Sequence, residues 1–297
     1  MEGSKDVNRM DNISKIDRIR SKVIGSLADA AKVYRWCDNW YDVYLFRLGI
    51  KKKLFMKVEG DKRVEINSVE RLGTFLSSGE HLLHRAKSAG IEIKDGVLLF
   101  DYKGRKVSLN FNTRDELVHT LHMVSEQFIR KQYGMLDVKG RDVVDVGASI
   151  GDTAIYFALN GAKHVYAFEP SKSVYDLAVK NVRSNGLGDR ITMINESCGS
   201  GGDALPYILR KYKIGNAVLK SDCEGCEYGL ILNADSTVLR SFGQIMLEYH
   251  YGYLDIASKL KISGFAVNHT MPRAYSHRDK EGRQSALGLI YARLTQK

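Results

Sequence analysis

The chain has 297 residues, 44% of them apolar, which is enough for a core of about 200 residues and a smaller appended region. No run of about 18 apolar residues occurs and the start, Met1-Glu2-Gly3-Ser4-Lys5-Asp6, lacks a signal-type apolar stretch, so we expect a soluble, cytoplasmic protein without a membrane span. Four cysteines are too few and too scattered for a disulfide framework, which fits a reducing compartment.

The formal net charge of +10 is concentrated toward the N-terminus. Residues 1–95 contain 19 Lys and Arg against 14 Asp and Glu, whereas the remaining 202 residues contain 26 against 21. Such a surface favours an anionic partner, for example a phosphorylated lipid, a sugar nucleotide or RNA. A solvated basic surface that aids solubility explains the same charge equally well.

Residues 1–95 are predicted to form a mainly helical accessory region that caps the substrate. Apolar residues recur at spacings of three and four over 8–24, an aromatic-rich helical segment covers 27–50, and helical spacing returns over 68–89. Between them, residues 54–58 and 63–66 alternate like the two strands of a hairpin.

A second hairpin and a long helix are predicted to begin the second domain, which we place at 96–297. The strands are 96–102 and 106–111 around a Lys103-Gly104 turn. Thr113 can cap a helix from Arg114 to about Lys131.

Beyond residue 140, short apolar strands alternate with helices. Strands are predicted near 142–146, 164–168, 190–194, 216–221, 243–249, 264–269 and 286–293, and helices near 152–160, 171–184, 204–211, 225–233 and 253–262. This alternation predicts an α/β fold with a mostly parallel sheet covered on both faces. A ligand site is then expected at the carboxyl ends of the strands.

The first strand, turn and second strand of this region have the features of a nucleoside site. Gly147 and Gly151 allow close approach of the backbone, and Glu169 follows Gly147 by 22 residues, near the offset at which an acid reaches ribose hydroxyls. The pattern is neither the dinucleotide fingerprint nor a P-loop. The candidate cofactor-binding residues here are Asp145, Gly147, Ala148, Ser149, Gly151, Asp152, Thr153, Glu169 and Pro170.

Acids also follow the next three strands. Glu196 and Ser197 lie in the loop that borders adenine in such sheets, and Asp222 is predicted to contact the cofactor as well. Asp222, Glu224 and Glu227 follow the fourth strand, and Glu248 and His250 end the fifth.

Together, Asp145-Val-Gly-Ala, Phe168-Glu169-Pro170 and Asp222-Cys-Glu-Gly-Cys-Glu227 resemble the FkbM family of methyltransferases that use S-adenosylmethionine (SAM). The resemblance covers about residues 126–250. It implies a Rossmann-like, seven-stranded class I methyltransferase sheet whose last strand is antiparallel. It also implies O-methylation of a hydroxyl on a sugar, glycan, lipid or other small metabolite. Glu126 and Tyr133 match family positions that close over the methionine part of SAM.

Methyl transfer to a hydroxyl requires alignment and a base. Asp222 or Glu224 is the preferred base, with His250 next, and Asp145 either orients the glycine loop or holds the SAM ammonium. The crowded acids suit a divalent metal as well, and its ligands would be Asp222, Glu224, Glu248 and His250. No second pair completes a zinc site with Cys223 and Cys226, so these thiols are predicted to serve packing.

Two other functions stay open. The basic N-terminal region keeps RNA methylation possible, and a SAM-fold protein without catalysis is the third alternative. The sequence does not indicate the acceptor or the oligomeric state.

Overall fold

The computed structural model describes residues 40–47, 49–57, 63–68, 71–72, 82–83, 86–87, 89–198, 203–278 and 284–295. The helix predicted over 8–24 and most of that predicted over 68–89 lie outside these residues. The described chain forms two compact units, which meet in sequence between Arg130 and Lys131.

The described residues of the first unit include two small antiparallel sheets and helices adjacent to them in sequence. Its elements are α1 (Trp40–Arg47), β1 (Leu54–Lys57), β2 (Arg63–Ile66), β3 (Glu92–Lys94), β4 (Val97–Tyr102), β5 (Arg105–Asn110) and α2 (Arg114–Val124), followed by a π-helical turn over Ser125–Ile129. Both predicted hairpins are present, as β1–β2 and β4–β5, and β3 adds a strand that the sequence reading missed.

The predicted cap of α2 forms, since Thr113 Oγ1 accepts a hydrogen bond from Glu116 N (3.1 Å), and Glu116 in turn accepts from Asn112 N (2.7 Å). Compactness groups the β4–β5 hairpin and α2 with the residues before them. The predicted domain boundary at residue 95 stays a prediction.

The second unit is an α/β sheet. Its strands are β6 (Asp142–Val146), β7 (His164–Phe168), β8 (Ile191–Ile194), β9 (Ala217–Ser221), β10 (Phe242–Tyr249), β11 (Phe265–His269), β12 (Arg273–Arg278) and β13 (Gln284–Leu294). Its helices are α3 (Asp152–Leu159), α4 (Lys172–Ser184), α5 (Ala204–Tyr212), α6 (Cys226–Leu232), α7 (Ser236–Leu239) and α8 (Leu254–Ile262).

The sheet order is β11-β13-β10-β9-β6-β7-β8, and all seven strands of this path were predicted. Strands β6 to β10 are mutually parallel, whereas β13 runs antiparallel between β10 and β11. This is the expected Rossmann-like class I methyltransferase sheet. An additional strand, β12, pairs with β13 off this path.

The strand order reverses at β6, because β7 and β8 extend the sheet on one side of β6 while β9 and β10 extend it on the other. Chains that leave β6 and β9 therefore diverge and open a crevice at their carboxyl ends. Among the described residues, no helix has both the length and the apolar character needed to cross a bilayer.

Candidate functional site

The predicted site residues meet at the carboxyl edge of the sheet. Gly147 directly follows β6, Glu169 follows β7, Asp222 follows β9 and His250 follows β10. Glu196 lies in the loop after β8. Parallel pairing of these strands brings residues far apart in sequence to one rim.

The loop of residues 147–151, here called the cofactor loop, is built from left-handed residues. Gly147 (φ 76°), Ser149 (φ 47°) and Gly151 (φ 81°) all have positive φ. Gly147 N and Ala148 N donate to Phe168 O at 3.0 and 2.9 Å, which fixes the loop against β7. The loop ends where α3 begins, with Asp152 and Thr153 buried in its first turn.

Gly147 is required for a reason that the sequence did not show. A Cβ at this position would lie 1.7 Å from Asp222 O, and Asp222 N donates to Val146 O at 2.9 Å. The cofactor loop therefore lies directly against the backbone of residues 222–227, here called the acidic segment.

Glu169 is buried and held by backbone amides from both sides. Its Oε2 accepts from Ser149 N (3.1 Å) and its Oε1 from Ser171 N (2.8 Å). Asn195 Nδ2 donates to the carbonyls of Glu169 and Pro170 at 2.9 and 3.0 Å. Each carboxylate oxygen keeps a second lone pair, so the rigid acid can still accept two hydroxyl donors.

Asp145 is fully buried, and protein groups satisfy its charge. Lys220 Nζ lies 2.9 Å from Asp145 Oδ1, and Thr153 Oγ1 donates to Oδ2 at 2.6 Å. Lys220 also donates to Gly147 O at 2.7 Å. This enclosure favours the loop-orienting role of Asp145 over contact with the SAM ammonium.

Lys220 is the main residue that sequence reasoning missed. It is fully buried. Burial alone would lower the pKa of its ammonium group, but the negative charges of Asp145 and Asp222 raise this pKa by more, so the net shift is upward and the ammonium stays charged. A lysine inside an otherwise apolar strand was the available signal, because buried lysines need partners. Its Nζ also lies 5.4 Å from the Tyr133 ring centroid.

The two predicted site residues in the loop after β8, Glu196 and Ser197, are exposed. Glu196 pairs with Lys211 of α5 at 3.1 Å. The predicted adenine contacts of these two residues stay predictions.

Asp222, Glu224 and His250, here called the acceptor cluster, form the charged part of the crevice. His250 Nε2 lies 3.3 Å from Glu224 Oε2 and 3.9 Å from Asp222 Oδ1. Tyr133 OH donates to Asp222 Oδ2 at 3.0 Å, so Oδ1 is the oxygen nearer His250. Ligand atoms of the three residues all lie within 4.8 Å of one another, which is a spacing that a divalent ion can bridge.

The imidazole of His250 is buried against a second acid. Its Nδ1 donates to Glu227 Oε1 at 2.9 Å, and Glu227 Oε2 accepts from Gly225 N at 2.9 Å. Burial alone would lower the pKa of His250, but the hydrogen bond and charge of Glu227, with smaller contributions from Glu224 and Asp222, raise it to about 9. His250 therefore carries a proton at neutral pH.

Glu248, predicted with this cluster, contacts Gln132, whose Nε2 donates to Glu248 Oε2 at 3.1 Å and to Tyr133 OH at 3.3 Å. Hydrogen bonds thus connect Glu248, Gln132, Tyr133 and Asp222 in series. Of the two residues that link the acids, Tyr133 was singled out from the sequence but Gln132 was not. Glu126 forms an ion pair with Arg130 at 3.1 Å within the first unit.

Cys223 and Cys226 correct the prediction of packing thiols, because they form a disulfide. The residues between them, Glu224 (φ 56°) and Gly225 (φ 112°), are left-handed, and this turn brings the two sulfurs together. Cys198 is a free, buried cysteine whose thiol pKa is raised, mainly by burial.

No family model matches the chain. It is 30% identical over 118 residues to an uncharacterized protein of a Sulfolobus islandicus filamentous virus, with 40% of this chain and 65% of that one covered. It is 30% identical over 183 residues to a probable histone-arginine methyltransferase of rice (Oryza sativa subsp. indica), with 52% and 34% covered. The chain thus spans less than two thirds of either relative. A SAM-dependent methyltransferase structure from Agrobacterium tumefaciens is 14% identical, with a TM-score of 0.41 and coverage of 69% and 72%.

Proposed function

We propose that this protein is a SAM-dependent methyltransferase of the FkbM type that methylates a hydroxyl of a sugar, glycan, lipid or other small metabolite. The observation that carries the proposal is the direct contact between the cofactor loop and the acidic segment, where a Cβ on Gly147 would lie 1.7 Å from Asp222 O. A nucleoside on the loop then lies beside the acceptor cluster. A cytoplasmic location is part of the same proposal.

The residues fit SAM in their chemistry. Glu169 is a fixed acid at the end of the second strand, which suits ribose hydroxyls and disfavours a phosphate on that ribose. The acids at 222, 224 and 227 lie near the rim and suit a cationic cosubstrate. Bound SAM supplies a methyl group on a positively charged sulfur.

In this proposal, Asp222 removes the acceptor proton. Tyr133 fixes one of its oxygens by a hydrogen bond of 3.0 Å, which leaves the other oxygen to face the acceptor hydroxyl. Glu224, whose side chain is 90% exposed, is the alternative base. His250 is not retained as a base, because a pKa of about 9 leaves it protonated at neutral pH.

Binding of SAM is tested by calorimetry with two variants of Glu169. Glu169→Ala removes the ribose acceptor and should abolish measurable binding, and Glu169→Gln, which keeps the volume, should weaken it by at least about tenfold, since hydrogen bonds to a charged group contribute about 1.5–3 kcal/mol each. Asp176→Asn, on the exposed surface of α4, is the control and should bind normally. Wild-type affinity in both Glu169 variants would contradict the proposed ribose contact.

The base is tested by turnover. A cell extract incubated with methyl-labelled SAM and the protein, followed by mass spectrometry, identifies the acceptor. Asp222→Asn should then bind SAM but lose at least about 100-fold in rate, within the range that general bases contribute. Normal turnover by this variant, with loss in Glu224→Gln, would move the role to Glu224.

The divalent cation that the crowded acids suit is tested separately from SAM. Manganese titrated into the metal-free protein should give saturable heat if the acceptor cluster holds a cation, whose binding would displace the proton on His250 Nε2, and His250→Gln should remove that heat. Absence of heat in the wild type would remove the metal from the proposal.

Methylation of a cationic nitrogen is the second candidate function. The excess of carboxylates in the acceptor cluster would bind a guanidinium group, and the rice relative is named as a histone-arginine methyltransferase. The labelled extract distinguishes the two: label recovered as methylarginine after acid hydrolysis supports nitrogen, and label in a sugar or lipid fraction supports oxygen.

RNA methylation and a SAM-binding protein without catalysis stay as further alternatives. Ribonuclease-sensitive label, with salt-dependent retention of RNA on a filter, would favour the first. Saturable SAM binding without label transfer to any fraction would favour the second.

A further inference from the structure

The Cys223–Cys226 disulfide closes the turn that carries Glu224 into the acceptor cluster. The bridge joins residues three apart, and the two residues that it encloses are Glu224 and Gly225. Cys226 N donates to Cys223 O at 3.4 Å across the same turn. Since Glu224 is a left-handed non-glycine residue, its backbone conformation has to be maintained by its surroundings.

The position of the bridge argues against a role as a staple for the whole fold. The entropic stabilisation by a disulfide grows with the length of the loop that it closes, and this loop contains only four residues. Both cysteines are partly exposed, whereas Cys198 is buried. Although both also pack against the apolar core, we expect a soluble thiol to reach the bridge without unfolding of the sheet.

The two carboxylates of the cluster depend on the bridge to different extents. Asp222 is held independently, by its own N–H to Val146 O (2.9 Å) and by Tyr133 OH at its carboxylate (3.0 Å). Glu224 is held by the bridged turn and by its 3.3 Å contact with His250 Nε2. We therefore expect opening of the bridge to loosen the turn of Glu224, which is then held by the hydrogen bond of Gly225 N to Glu227 and the contact with His250, and to leave Asp222 in place.

We propose that Cys223–Cys226 is a reversible redox modification site that sets the position of Glu224 in the acceptor cluster. Its reactant is a dithiol. The thiolate of the dithiol attacks one sulfur, the Cys223–Cys226 bond breaks, and the second thiol of the reactant completes its own disulfide. Two electrons and two protons pass to the cysteines, so both leave as thiols and the dithiol is oxidised.

The structural consequence is tested without any assay of methyl transfer. The oxidised protein is incubated with dithiothreitol, alkylated and digested, and the peptide that contains 223 and 226 should carry two alkyl groups; removal of the reductant and addition of oxidised dithiothreitol should restore the bridge. Hydrogen–deuterium exchange should become about tenfold faster over 223–227 on reduction, the factor expected for release of one left-handed residue, and stay unchanged over 143–147.

The Cys223→Ser/Cys226→Ser variant should exchange like the reduced protein with or without dithiothreitol, and Cys198→Ser should respond like the wild type. A bridge that resists dithiothreitol in the folded protein would overturn the proposal, as would reduction that speeds exchange across the whole sheet or nowhere. The effect on methyl transfer rests on the proposed function, but these measurements do not: loss of SAM binding in calorimetry would remove that function and leave the redox result intact.

Discussion

Replacement of Lys220 by methionine tests the buried ion pair beneath the cofactor loop. The change removes the ammonium that lies 2.9 Å from Asp145 Oδ1 and leaves a carboxylate with no exposed surface. Loss of one partner from a buried pair costs about 3–5 kcal/mol, because the remaining charge is desolvated without compensation. At about 2–4 °C per kcal/mol for a unit of this size, the melting temperature should fall by roughly 6–20 °C.

The matched control is Lys172→Met, which removes the same kind of side chain from an exposed pair with Asp176 in α4. Exposed pairs contribute less than about 1 kcal/mol, so this variant should unfold nearly like the wild type. Urea unfolding followed by circular dichroism measures both, provided that the dependence on urea keeps the same slope.

A double variant separates charge from packing. In Lys220→Met/Asp145→Asn both charges of this buried pair are removed, while Thr153 can still donate a hydrogen bond to the amide oxygen at position 145. The double variant should therefore be more stable than Lys220→Met alone by about 2 kcal/mol. A double variant as unstable as the sum of its single changes, or a Lys220→Met protein as stable as Lys172→Met, would refute the assigned pairing.

Gly147→Ala should destabilise the protein far more than Gly140→Ala in urea unfolding and should abolish SAM binding: both glycines are left-handed (φ 76° and 70°), but only at 147 does a Cβ meet backbone, 1.7 Å from Asp222 O. Equal losses would show that the contact relaxes at little cost. Glu227→Gln should lower the pKa of His250 from about 9, because burial then acts without its main opposing acid; proton NMR of the imidazole in chelated buffer measures this, and an unchanged midpoint would contradict the assigned cause. In the wild type, the raised pKa stabilises the fold fully below about pH 6.5, and this contribution is lost as the pH rises through about 9. Unfolding free energies of wild type and His250→Gln across this window should therefore converge at high pH.

The central strands β6, β9 and β10 were predictable because they are short apolar runs that are largely buried, a pattern that can be recognised without knowledge of the partner strands. β12 was not, since Arg273-Ala274-Tyr275-Ser276-His277-Arg278 has no apolar alternation and pairs only with β13. β3 has three residues, too few for a period to be recognised. The division of the chain at Arg130 follows from contacts made across long separations, which composition does not encode.

Residues at the rim were predictable because each follows the end of a parallel strand, and topology then brings them together. Which side chains these residues contact depends on the register between neighbouring strands. Asp145 and Lys220 face each other because β6 and β9 pair with those two residues opposite. The support of Asp222 by Tyr133 and Gln132 depends on how the segment before β6 folds back, and no periodicity or motif in that segment predicts this.

The pairing of charges decides which acids can meet a ligand. Asp145 and Glu227, both fully buried, each have a cationic partner, Lys220 at 2.9 Å and protonated His250 at 2.9 Å. Buried charges have to be matched in this way, so these two acids support the structure around the site. Asp222 and Glu224 keep 29% and 90% of their side-chain surface exposed. In the proposed function these exposed carboxylates are therefore the ones that act on the acceptor, and the proposed redox change of the neighbouring cysteines selects whether one or both are in place.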